Sequence, residues 1–121
     1  MSPAHQRAVL LLEQNRYQDA ERYAREGLSS EPENAHLLIV LARSLSGQDR
    51  EKEALEPAEK ALSLEPENTW VIYVNASVLF ELERYKEAER LSREGLALDP
   101  ENAHFYGLLS WLAIRRYEWE E

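Results

Sequence analysis

His5, His36 and His104 are the only imidazoles in this chain of 121 residues, and they are the first place to look for chemistry. Histidine binds metals and moves protons near neutral pH, but a zinc site needs three or four converging ligands. His36 and His104 stand 68 positions apart, which is twice an internal period of 34. Helices pack about 10 Å apart, so two periods separate these side chains by about 20 Å, too far to share a metal. His5 stands alone, and all three read as exposed residues in the first turn of a helix. With no cysteine in the chain, thiolate chemistry and disulfides are excluded.

Carboxylates are abundant: 23 acidic residues against 14 basic ones give a net charge of −9. Many face a base at helical spacing, as Glu21 does Arg25 and Glu56 does Lys60. Acid–base catalysis needs two carboxyls with different surroundings in one pocket, and no pair here is set apart. The four glycines make neither a phosphate loop nor a nucleophile elbow. The reading is a chain that is not an enzyme, with no metal and no cofactor. The acidity argues against a nucleic-acid partner. The longest apolar runs, Ala8 to Leu12 and Leu37 to Ala42, are far shorter than the ~20 residues of a membrane span. The first residues lack the layout of a signal peptide, and the absence of cysteine fits a reducing compartment, so a cytoplasmic location is expected.

What remains is repetition. EPENAHLL, EPENTWVI and DPENAHFY begin at Glu31, Glu65 and Asp99, and Pro32, Pro66 and Pro100 recur every 34 residues. A fixed period of this size marks a repeat architecture. In each phrase proline ends one helix and Asn34, Asn68 or Asn102 caps the next, because its side chain accepts an orphan backbone N–H. An apolar helix follows, then a short polar turn, then a helix rich in Glu and Arg, such as RYQDAERYAREGL from Arg16 and RYKEAERLSREGL from Arg84. Short turns force neighbouring helices antiparallel. Small residues hold register at Ala8, Ala42, Ala76 and Ser110, at Ala20, Ala54 and Ala88, and at Gly27, Ala61 and Gly95. Pro57, inside the helix expected over Glu51 to Leu64, predicts a kink or a late start. Asn75 sits in an otherwise apolar slot and is expected to be buried and hydrogen-bonded.

These features resemble the tetratricopeptide repeat family, whose pattern is W-x2-L-G-x2-Y, then A-x3-F, then P. The first motif stands here as Leu38-x2-Leu41-Ala42-x2-Leu45, Ile72-x2-Asn75-Ala76-x2-Leu79 and Tyr106-x2-Leu109-Ser110-x2-Ala113. A weaker copy runs from Ala4. The second is Ala20-x3-Ala24, Ala54-x3-Ala58 and Ala88-x3-Ser92, with small residues in the aromatic slot. The resemblance covers the whole chain. It implies one all-α domain, a right-handed superhelix of three helix–turn–helix repeats (about 1–34, 35–68 and 69–102) plus one further helix, 103–119, seven helices in all.

The resemblance also implies a protein or peptide partner bound on the concave face of the first helices. On helical spacing that face takes His5, Val9 and Leu12; His36, Ile39 and Arg43; Trp70, Tyr73, Ser77 and Phe80; then His104, Trp111 and Arg115. Some members of the family clamp a partner's C-terminal carboxylates with Lys, Asn and Arg. Here the corresponding places hold His5, Val9, Val40, Trp70 and Val74, a poor clamp, so an apolar or aromatic segment is the expected ligand. The last helix carries Leu109, Leu112, Tyr117 and Trp119, an apolar stripe that points to a homodimer, or to a fragment whose fourth repeat continues in a larger protein such as an enzyme.

Overall fold

In a computed structural model the described residues are 2–119, with side chains through residue 115. They form seven helices: α1 Pro3–Glu13, α2 Tyr17–Ser30, α3 Ala35–Ser46, α4 Glu51–Leu64, α5 Thr69–Glu81, α6 Tyr85–Leu98 and α7 Ala103–Trp119. Each packs on its neighbour in sequence, and the odd-numbered helices also touch one another in the order α1, α3, α5, α7. The result is an all-α solenoid whose odd helices share one face.

The repeated acid-Pro-Glu-Asn phrase builds each link between pairs. Asn34 Oδ1 accepts from the Leu37 amide at 3.0 Å, Asn68 from Trp70 and Val71, and Asn102 from His104 at 3.0 Å. The same side chains donate backwards, Asn34 to Glu31 and Asn68 to Glu65 at 2.8 Å, and Asn102 to Asp99 at 3.3 Å. One asparagine thus caps the new helix and ties down the acid at the head of the phrase. Within each pair the turn reverses through a left-handed residue, Asn15, Asp49 or Glu83, at φ near +60°. The next amide then closes on a carbonyl five residues back, Arg16 to Leu11, Arg50 to Leu45 and Arg84 to Leu79. These are Schellman closures without glycine.

Packing follows the small residues. Gly95 lies so close to Phe105 that an added Cβ would fall 2.2 Å from the ring, and one at Gly27 would fall 2.9 Å from Leu37. At the same register the middle junction carries Ala61 and Val71, both buried. Side-chain volume on one helix is therefore matched by its absence on the other. Two hydrophobic clusters result, one over α1–α5 and one over α5–α7, with Leu55 and Leu62 packed against both.

Asn75 is buried, and its amide donates to the Ala58 carbonyl at 2.8 Å and to Val71 at 3.0 Å, tying α5 to α4. Pro57 gives neither a late start nor an end: α4 begins at Glu51 and runs on to Leu64. The amide bond it forfeits would have gone to Glu53, on the exposed first turn. The buried ring lines a cleft with Leu38, Leu41 and Leu45.

Candidate functional site: the concave groove

The shared face of the odd helices encloses an open groove of about 570 Å3, reaching from Leu12 on α1 past Arg43 on α3 to His104 on α7. Its centre is α5, which presents Trp70, Tyr73, Val74, Ser77, Val78 and Glu81. Trp70 and Tyr73 stack at 5.4 Å between ring centres, and His104 leans on both at 5.7 and 5.1 Å. Tyr73 meets buried Phe105 edge-on, which fixes its ring from below. The Arg43 guanidinium sits 5.2 Å above the Trp70 ring. Held on these sides, Trp70 is still 37% exposed.

Leu12, Arg43, Trp70, Tyr73, Ser77 and His104 all line this groove, as their helical spacing suggested. The other groove candidates lie elsewhere. Ile39 is in the core, because α3 is enclosed by the helices on both sides and nine of its residues are buried. Val9 is half-buried against that core, and Phe80 turns toward Tyr85, 5.5 Å between ring centres. Trp111 and Arg115 are exposed on α7 but outside the lining. Of the self-association set, Leu112 is buried and Leu109 half-buried, while the side chains of Tyr117 and Trp119 lie outside the described residues.

His36 and His104 are exposed in the first turns of α3 and α7, as expected, and His5 departs from expectation. His5 is neither alone nor exposed: it is 5% accessible, and its Nε2 lies 2.7 Å from Nδ1 of His36. One ring must donate and the other accept, so the bond needs at least one neutral imidazole. Burial, and then the neighbouring His36, push the His5 pKa below its ordinary value, against a smaller pull from Glu31. His36 is thus tied to His5, and His104 to the aromatic cluster. Among the described residues no group of three or more His, Cys, Asp or Glu is placed to hold a metal.

Sequence reasoning also missed the groove's far end. Tyr17, Ser46, Gly47, Asp49, Glu51 and Glu81 line it from the turns between paired helices. Tyr17 covers Gly47 so closely that a Cβ there would fall 2.4 Å from the ring. The signal was available, since these turns recur at the same end of every pair.

Two family profiles described as Tetratricopeptide repeat match the chain, one over residues 5–69 and one over 47–112. The chain belongs to the tetratricopeptide repeat family. No curated protein matches it. Among solved structures, it is similar to the first TPR domain of human RPAP3, with a TM-score of 0.89 at 18% identity, covering 95% of this chain and 91% of that one. The Sgt2 TPR domain from Aspergillus fumigatus gives 0.88 at 19%, covering 97% and 82%. The second TPR domain of human RPAP3, solved with the HSP70 peptide SGPTIEEVD, gives 0.84 at 19%, covering 91% and 92%. At these identities the likeness speaks for the fold. No helix among the described residues is long and apolar enough to cross a membrane.

Proposed function

We propose that this tetratricopeptide repeat domain is a docking module, a scaffold that grips an apolar or aromatic segment of a partner protein in its concave groove. The observation that carries this is Trp70, left 37% exposed in an open groove while Arg43, Tyr73 and His104 hold its ring in place. An immobilised aromatic surface loses little entropy when a ligand covers it, which suits a binding anchor. A related domain was solved with a bound peptide, and this supports the mode of action. Where carboxylate-clamping members use polar side chains, Trp70 and Val74 line the groove here and favour an apolar ligand.

The test is selection of short peptides from a random displayed library, followed by titration of the winners against variants. Trp70→Ala should weaken binding at least tenfold with helicity unchanged, while Trp111→Ala, outside the lining, should leave it intact. Equal binding to wild type and Trp70→Ala would place the docking site elsewhere.

A second reading, self-association, is favoured by one feature. Tyr106, Trp111 and Ile114 stand exposed together on α7, Trp111 at 59%. Its test is the molecule's mass in solution, set out below.

A further inference from the structure

The docking reading leaves open what else the partner segment carries, and the charge around the groove answers that. Asp49, Glu51 and Glu81 line the end of the groove formed by the intra-pair turns. Among the described residues none of the three takes part in an ion pair. Among the described residues Arg43 is the only lysine or arginine in the lining, and it is turned over the Trp70 ring. The whole chain adds a net charge of −9 behind this rim. Three carboxylates outside any ion pair at one end of the groove set up a negative potential and draw cations toward it.

The spacing is set by α5. Tyr73, Ser77 and Glu81 fall four residues apart on one stripe of that helix, all three on the groove. At 1.5 Å rise per residue, the aromatic cluster and the Glu81 carboxylate are separated by ~12 Å along the axis. An extended peptide advances ~3.3 Å per residue, so three or four of its residues span that distance.

We infer that the groove selects a basic-aromatic segment: an extended stretch of a partner protein with a large apolar anchor and a lysine or arginine three or four residues from it. The anchor covers Trp70 and Tyr73, and the cation sits among Asp49, Glu51 and Glu81. An acidic tail would instead bring its carboxylates against three others. This inference rests on the docking reading and narrows it to one ligand chemistry.

Three synthetic peptides test it, identical except for the residue four positions from a single tryptophan anchor: lysine, glutamine or glutamate. Each is titrated against the whole chain while amide shifts of α5 and the intra-pair turns are followed by NMR. The lysine peptide should bind roughly tenfold tighter than the glutamate peptide at low salt, with glutamine between. In about 0.5 M salt the difference should shrink, as screening demands. The variant Asp49→Asn/Glu51→Gln/Glu81→Gln should bind all three peptides alike. Three equal affinities for the wild type, or the reverse order, would overturn the charge selection and leave docking of an apolar anchor standing. No groove shift with any of the three peptides would overturn both.

Discussion

At the scale of single residues, close approach decides more than chemical type. A buried Phe105 ring lies where a Cβ on Gly95 would stand, at 2.2 Å, whereas the corresponding Cβ on Gly27 would meet the two methyls at the end of the Leu37 side chain, at 2.9 and 3.2 Å. Alanine is favoured over glycine in a helix by ~1 kcal/mol, and overpacking a core costs ~1–3 kcal/mol. Gly95→Ala should therefore destabilise by about 1–2 kcal/mol in urea unfolding, while Gly27→Ala should be near neutral. Adding Phe105→Val to Gly95→Ala copies the Ala61 and Val71 pair of the middle junction. The double variant should lose less than the two single losses combined, and strict additivity would refute the volume-matching account. His5 yields a different test. Its pKa is depressed by burial, so the folded state binds fewer protons there than the unfolded chain does. The stability this gives is complete above the ordinary value of 6.5 and is lost as pH falls through the folded value. Urea midpoints should drop between pH 7 and pH 5, and His5→Leu should flatten that part of the profile.

At the scale of elements, the period of 34 carried nearly everything that the sequence revealed. Asn34, Asn68 and Asn102 as caps, Asn75 as a buried link, and the small-residue series all follow from comparing one copy with the next. Contacts off that register were invisible to it. His5 bonds His36, 31 residues away, although the residue equivalent to His36 is Ser2. Glu21 receives Arg50 from 29 residues away at 2.8 Å, and its counterpart one period on is Leu55, so the first two pairs are clasped by charge and the next junction by an apolar side chain. Glu21 also accepts from Gln48 and Arg25 and is 13% exposed. Burial alone would raise its pKa; the bonds from Gln48, Arg25 and Arg50 outweigh that and hold it below the ordinary carboxylate range. A depressed carboxylate stabilises above its unfolded pKa and loses that contribution as pH falls through its folded value. Glu21→Gln should cost about 1.5–3 kcal/mol at pH 7, the range for hydrogen bonds to charged groups, and the gap to wild type should narrow as pH falls below the ordinary carboxylate value of 4.5. The turns offer a stabilising change instead. Glu83 holds φ at 63°, where Asn15 shows the better-suited residue at the equivalent place. Glu83→Asn should raise stability by up to ~1 kcal/mol, and a lowered melting temperature would mean that the Glu83 side chain has a role of its own.

At the scale of the whole molecule, the question is whether α7 can stand in water as it is. Phe105, Leu108 and Leu112 bury one side of it against the rest of the chain, and Tyr106, Trp111 and Ile114 face outward. An aromatic side chain carries ~150–250 Å2, so hiding this trio in a symmetric pair gains several kcal/mol per chain at ~25 cal/mol per Å2. Association costs ~4–15 kcal/mol in lost freedom, so the balance supports at most a weak dimer. Charge works against it as well, because each chain brings a net −9. Opposed electrostatic and hydrophobic contributions give the dimer a distinctive salt response: screening removes the repulsion and leaves the apolar gain. Sedimentation equilibrium over a concentration series should therefore show a monomer at micromolar concentration and dimer growing toward millimolar, with more dimer at 0.5 M salt than at 0.05 M. Trp111→Glu should return the chain to a monomer at every concentration without changing its helicity. A wild-type chain that stays monomeric at its highest soluble concentration in high salt would show that this face of α7 is not a self-association surface.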